Sequence, residues 1–179
     1  MITVISATNR PDSNTEIFAK YYYRELKKKA KVEVKFLSLL ELNELTVPAG
    51  MYDADKQHEK ISELQDKFML PADRFVIVSP EYNGSFPGIL KYFLDAISIR
   101  KYKETFRGKN ALLVGVSTGR AGNLRGLGHL AHILLHVGTH VHPAQMPFSK
   151  VGELIEKGKL SDKETRKAVR EHISGWIEQ

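Results

Sequence analysis

The chain contains no cysteine at any of its 179 positions. Disulfides, a thiol nucleophile, a thiolate-held iron–sulfur cluster and a zinc finger are excluded with it. No apolar run approaches the ~20 residues that a membrane helix needs. There is no internal repeat, low-complexity tract or linker. No basic region or small-residue cleavage site accompanies the first apolar residues, so no signal peptide is expected. Walker A, RNA-recognition and basic helix-turn-helix patterns are missing as well. These absences lead to the expectation of a soluble, cytoplasmic protein with no membrane and no nucleic-acid partner.

What is present is ordinary for a globular chain: 42% hydrophobic and 27% charged residues, a composition that excludes disorder or a fibre. One compact domain over residues 1–179 is expected, because domains usually run to about 100–200 residues. Lys and Arg number 27 against 21 Asp and Glu, a net charge of +6. The densest basic run, Lys27-Lys28-Lys29 with Lys31, ends a predicted helix, where cations complement the helix dipole.

Strand-like and helix-like patterns alternate from end to end. Ile2 to Ser6 reads as a buried strand, and Asn14 to Ala30 as a helix with Ile17, Phe18, Tyr21, Tyr22 and Leu26 on one face. A second strand is predicted over Val32 to Leu37, a loop over Asn43 to Asp55, and a weakly patterned helix over Ala54 to Leu70. Arg74 to Ser79 is a third strand whose continuous apolar centre suits burial on both faces. From Phe86, the apolar positions Ile89, Leu90, Phe93, Leu94 and Ile97 predict an amphipathic helix. Ala111 to Ser117 is a fourth strand, Asn123 to Val137 a helix, and Thr139 to Met146 holds a fifth strand interrupted by Pro143. A capping box from Ser161 to Glu164 opens a last helix carrying Val169, Ile173, Trp176 and Ile177 on one face. The fold class predicted is α/β, an open parallel sheet covered on both sides. Ligands of such sheets lie beyond the carboxyl ends of the strands, where the strand order reverses.

Three of those ends carry chemistry. After the first strand, Thr8, Arg10, Ser13, Asn14 and Thr15 lead into a helix N-terminus, where backbone N–H groups and a guanidinium fork suit a phosphate. One cap residue would suffice for the helix alone. After the third strand comes Pro80-Glu81-Tyr82-Asn83-Gly84, a tight turn that also bears an aromatic ring and a carboxylate. After the fourth comes Ser117-Thr118-Gly119-Arg120, a glycine-bearing loop that lets a flat ligand approach closely.

The stretch SPEYNGSFPGILKYFLDAIS, Ser79 to Ser98, resembles the signature of the flavodoxin-like NAD(P)H-dependent FMN reductases, which include quinone, azo-dye and chromate reductases. The resemblance extends over most of the chain. It implies a three-layer sandwich around a five-stranded parallel sheet in the order 2-1-3-4-5. It assigns the FMN phosphate to Thr8, Arg10 and Ser13, with Thr15 at the position of the family's final Asn and Asn14 one residue earlier. It lays Pro80, Glu81, Tyr82, Asn83 and Gly84 along the flavin ring. Ser117, Thr118, Gly119 and Arg120 match the family's third loop in kind, with Arg120 near the flavin edge or a nicotinamide phosphate.

The activity implied is hydride transfer from NAD(P)H through FMN to a quinone, free flavin, azo compound or similar small acceptor, by a ping-pong scheme. The flavin carries that chemistry, so no catalytic side chain is assigned. The family is built as homodimers or homotetramers, and the helices Phe86 to Ile97 and Asn123 to Val137 offer the surface. Acceptor specificity is expected from the loop Asn43 to Asp55 and a partner subunit. A flavodoxin-type electron carrier is the alternative, opposed by the charge of +6, because carriers of that kind are usually strongly acidic. A non-catalytic FMN-binding module would leave the Tyr82 turn without a purpose.

Three further signals carry less. Gly126-Leu127-Gly128-His129-Leu130-Ala131 spells a dinucleotide fingerprint, but it lies inside a predicted helix and lacks an acidic residue about 20 positions on. His129, His132 and His136 share a helix face, with His140 and His142 following. No carboxylate lies close in sequence, and a polar subunit interface accounts for them as well, so no metal site is assigned. Tyr21-Tyr22-Tyr23 has the spacing of core residues more than of a base-stacking platform.

Overall fold

A computed structural model of the chain describes residues 1–43, 45, 50–53 and 56–178. Strands β1 (Ile2–Ser6), β2 (Val34–Ser38), β3 (Arg74–Pro80) and β4 (Asn110–Val116) form the parallel centre of a sheet. The order is β2-β1-β3-β4-β5, as expected, with β5 (His140–Val141) at the end. Helices α1 (Asn14–Lys29), α2 (Glu59–Leu64), α3 (Gly88–Ala96), α4 (Tyr102–Phe106), α5 (Leu124–His136) and α6 (Lys163–Ile177) cover both faces. None of the helices among the described residues is long and apolar enough to cross a membrane.

Alternation along each strand divides the core in two. Ile2, Val4, Val76, Val78, Leu112 and Val114 pack with Phe18, Tyr22 and Leu26 of α1 and Val169, Ile173 and Trp176 of α6. Ile5, Phe75, Ile77, Ala111 and Leu113 face the other way, against Leu64, Phe93, Phe106, Leu127 and Leu130. The central strands are therefore apolar on both faces and read as continuous runs. Tyr21 and Tyr22 are core residues, as their spacing predicts. The basic run at the end of α1 lies in its last turn, and Lys28 pairs with Glu25 at 2.6 Å.

The structure departs from the sequence reading in four places. The fifth strand is two: His140–Val141 pairs with Asn110–Ala111, and β6 (Met146–Phe148) pairs with Val114–Val116. Between them the chain bulges around Pro143, which has no N–H for the ladder. The weak helix is α2 widening into a π-helical turn, Gln65–Met69; its expected start at Ala54, like Pro48 of the preceding loop, lies outside the described residues. The cap of α6 is Asp162, whose carboxylate accepts the Thr165 N–H at 2.7 Å, while the Ser161 hydroxyl donates to the Leu154 carbonyl. A small hairpin, β7 (Ile155–Glu156) with β8 (Lys159–Leu160), had no strand-length pattern to announce it.

His172 ties three of these pieces together. Its Nδ1 accepts the Tyr22 hydroxyl at 2.8 Å, and its Nε2 donates to the Ala144 carbonyl in the bulge at 2.5 Å. Burial pushes its pKa below the ordinary 6.5, helped by the nearby His142, and the Ala144 bond opposes this only partly. A neutral ring suits both bonds; a protonated one leaves the buried Tyr22 hydrogen without an acceptor. Above pH ~6.5 the ring is neutral in both folded and unfolded chains. As pH falls below that, the unfolded chain takes the proton first, so stability drops until the folded pKa is reached. Urea midpoints measured between pH 8 and pH 5 are expected to fall for the wild type. For His172→Asn they should start lower and vary less across the same window.

Candidate active site

Three loops meet at the carboxyl ends of β1, β3 and β4 and enclose a cleft of about 220 Å³. Thr8, Arg10, Ser13, Asn14 and Thr15 line it from the first loop, Pro80, Glu81 and Tyr82 from the second, and Ser117 and Thr118 from the third. Ten of the fourteen residues singled out in the sequence are thus brought to one place. Asn83, Gly84, Gly119 and Arg120 do not line it. Asp12, Val116 and Val151 do, and were missed. Val116 is the last residue of a legible strand and could have been found; Val151 arrives from a segment with no motif.

The first loop is arranged to receive an anion. Ser13 caps α1 by accepting the Glu16 N–H at 3.1 Å. The N–H groups of Asn14 and Thr15, in the first turn, have no intrahelical acceptor. The Thr8 hydroxyl accepts the Arg10 N–H at 3.2 Å, which folds the loop back toward the strand. The Arg10 guanidinium makes no hydrogen bond or ion pair among the described residues. Thr8 also meets the Tyr82 hydroxyl at 3.3 Å, so the first and second loops touch.

The second loop is a tight hairpin turn. Tyr82 and Ser85 exchange backbone hydrogen bonds of 2.8 and 3.0 Å around Asn83 and Gly84, at φ 52° and 75°. Two consecutive left-handed residues define a type I′ turn, for which Asn-Gly is the favoured pair. The N–H groups of Asn83 and Gly84 have no acceptor among the described residues. The Ser85 hydroxyl meets His129 Nδ1 at 2.9 Å, so a histidine of α5 is seated against this turn, which the sequence alone did not suggest.

The third loop is braced from two sides. Ser117 donates its N–H to the Phe148 carbonyl at 3.0 Å and accepts the Val151 N–H at 3.2 Å. Asn123, fully buried at φ 67°, donates its Nδ2 to the carbonyls of Ser79 at 3.1 Å and Pro80 at 2.8 Å. The Glu81 carboxylate accepts the Asn123 N–H at 3.2 Å, so it pins the start of α5 as well as lining the cleft. The fingerprint-like glycines sit inside α5 as expected, and Gly126 has its own reason. A Cβ there would strike Asn123 Oδ1 and come 2.7 Å from the Ser85 backbone, whereas one on Gly128 would meet nothing.

Subunit CrdA of the NADH:(hydroxy)cinnamate reductase of Vibrio ruber is 29% identical over 170 residues, which cover 88% of this chain and 79% of that protein. An NAD(P)H-dependent FMN reductase of Pseudomonas aeruginosa is 32% identical over 111 residues, 59% of this chain and 60% of its own length. Among solved structures, the flavoenzyme NAD(P)H:(acceptor) oxidoreductase FerB of Paracoccus denitrificans superposes with a TM-score of 0.78 at 23% identity, over 99% of this chain and 94% of its own, a likeness of fold. The family model described as NADPH-dependent FMN reductase matches residues 1–153. Together with the sheet order and the loops that meet at its carboxyl edge, that match makes this chain a member of the NADPH-dependent FMN reductase family, an FMN-dependent oxidoreductase.

Proposed function

We propose that the cleft between the Thr8–Thr15 loop, the Pro80–Tyr82 segment and Ser117–Thr118 holds FMN, within one FMN-binding unit spanning residues 1–179. The reaction is the reduction of a small acceptor, such as a quinone, free flavin or azo compound, at the expense of NAD(P)H. The donor set supports this reading. Unpaired N–H groups at the α1 N-terminus, three hydroxyls and one free guanidinium fit a phosphate. Tyr82 fits the face of a flat ring, and the unpaired N–H groups of Asn83 and Gly84 beside it fit the ring's carbonyl edge.

FMN when bound supplies the group that accepts and passes on hydride, so this chain has no hydride to move itself. Arg10 and the first turn of α1 bind the phosphate, and the type I′ turn orients the ring. Glu81 and Asn123 hold that turn against α5. Nicotinamide and acceptor occupy the same open side in turn, which is a ping-pong order. Consumption of NAD(P)H suits the cytoplasm. The groove of about 430 Å³ between α3, α4 and α5, with Leu94, Tyr102, Ile133 and Val137 in its wall, supports assembly as a homodimer or pair of dimers.

The observation that carries this reading is the meeting of three polar loops in one cleft around an unpaired Arg10. The purified protein is expected to be yellow and to bleach on anaerobic addition of NADPH. A colourless protein that gains no thermal stability from added FMN would refute it. Arg10→Ala should weaken FMN binding by about 1.5–3 kcal/mol, the size of a hydrogen bond to a charged group. That is a rise of about ten- to a hundredfold in Kd. The exposed loop leaves the fold intact. An unchanged Kd in a fluorescence titration would remove Arg10 from the site.

A further inference from the structure

Helix α5 runs against the type I′ turn at short range. Gly126 makes this possible, since a Cβ there would come 2.7 Å from the Ser85 backbone. One turn of helix beyond Arg125, His129 fixes the approach by meeting the Ser85 hydroxyl through Nδ1 at 2.9 Å. Arg125 itself precedes Gly126. A Cβ placed on Gly84 would lie 3.7 Å from Arg125 Nη1, so the guanidinium stands directly beside the turn.

No contact within the protein accounts for a cation at this place. Arg125 is exposed and makes no hydrogen bond or ion pair with any described residue. It lies in the first turn of α5, where the positive end of the helix dipole disfavours a cation, and that turn has no acidic residue. The Glu81 carboxylate at the start of the same helix accepts the Asn123 N–H at 3.2 Å and is not at ion-pair distance from Arg125. The N–H groups of Asn83 and Gly84, on the turn that Arg125 flanks, have no acceptor either. Two orphan backbone donors beside an unpaired guanidinium form a set that suits negative charge.

This chain then has two free guanidiniums around the flavin, and they answer different charges. On the reading under Proposed function, Arg10 answers the phosphate, whose charge is the same throughout turnover. The charge of the ring changes. A hydride brings two electrons and one proton to the neutral ring, and NAD(P)H leaves as the oxidised nicotinamide. The ring therefore carries one net negative charge until it passes the hydride to the acceptor or takes up a proton. We propose that Arg125, with the N–H groups of Asn83 and Gly84, pairs with that charge and so holds reduced FMN more tightly than oxidised FMN. The bound flavin is thereby easier to reduce. This rests on the FMN reading given under Proposed function.

The test compares wild type, Arg125→Met, Arg125→Lys and Arg10→Ala. Dissociation constants are measured anaerobically for oxidised and for reduced FMN, and the midpoint potential of the bound flavin is measured against a reference dye. Arg125→Met is expected to weaken binding of reduced FMN about tenfold and to leave that of oxidised FMN little changed. The potential falls with it, by about 30 mV for a tenfold change in a two-electron couple. Arg125→Lys keeps the charge and should keep most of the wild-type potential. Arg10→Ala should weaken both forms alike and leave the potential where it is. Arg125 is exposed and unbonded, so its replacement leaves the fold intact. An equal loss for both forms in Arg125→Met, or no change in either, would overturn the assignment. Failure of the wild type to take up FMN would instead overturn the reading under Proposed function.

Discussion

Asn123→Ala is expected to lose stability on the order of 3–5 kcal/mol and to release FMN together with it. The side chain is buried, and its Nδ2 is the donor for two carbonyls at the end of β3, Ser79 and Pro80. The Pro80 carbonyl keeps a second donor in the Ser79 hydroxyl at 3.2 Å, but both carbonyls lose the amide, and a buried acceptor that loses its donor costs about 1–3 kcal/mol. Alanine also has to occupy φ 67°, a left-handed position that costs a non-glycine residue roughly 1–2 kcal/mol and that Asn tolerates better. The two costs can be separated. Asn123→Gly keeps the backbone free at φ 67° but restores neither bond, so it should lie between wild type and Ala. The functional consequence follows from geometry: the carbonyls released are those that lead directly into Glu81 and Tyr82. Thermal melts and FMN titrations on the three proteins check this. A melting temperature for Asn123→Ala equal to wild type would mean that the β3 end is held elsewhere.

Gly115→Ala is the second large effect, expected to destabilise by about 3 kcal/mol, the upper end of overpacking costs. Gly115 lies in β4 opposite Pro147 of β6. The third loop folds back over this pair, so that a Cβ on Gly115 would strike the Gly122 carbonyl and come 3.1 Å from Asn123 Cβ and 3.2 Å from Leu127 Cδ1. The loop cannot retreat, because a Cβ at Gly122 would already lie 2.9 Å from Pro147. Relief has to come from moving Asn123, which reaches the Tyr82 turn through the bonds just described. FMN affinity should therefore fall with stability. Gly128→Ala is the control: it sits in α5 with open space around its Cβ position, and should stabilise by roughly 0.5–1 kcal/mol. Equal melting temperatures for the two variants would show that loop and strand are not in contact.

Much of the frame was legible because it is written in local periodicity. β1, β3 and β4 are buried on both faces, so each reads as an unbroken apolar run, and α3 and α5 show their apolar stripes at helical spacing. The polar residues that interrupt these runs at the strand ends are the ones that line the cleft. The order of the strands came from the family resemblance, since periodicity does not say which strand neighbours which.

The rest depends on contacts between residues far apart in the chain. Asp162 rather than Ser161 caps α6, because the Ser161 hydroxyl is engaged by Leu154 of the preceding hairpin. β5 and β6 are separate, because the bulge at Pro143 presents its Ala144 carbonyl to His172, 28 positions away. Val151 reaches the cleft because its segment is bonded to the third loop, Val151 N–H to Ser117 and Lys150 N–H to Gly119. His129 meets the Tyr82 turn only because Gly126 lets α5 approach Ser85. Sequence by itself determined which segments are strands and helices and which loops carry polar chemistry, since those follow from neighbours within a few residues. The meeting of the loops in one cleft, and the cluster of Arg24, Arg166 and Arg170 around Tyr21, were decided by tertiary structure, because side chains up to 149 positions apart become adjacent only when the layers pack.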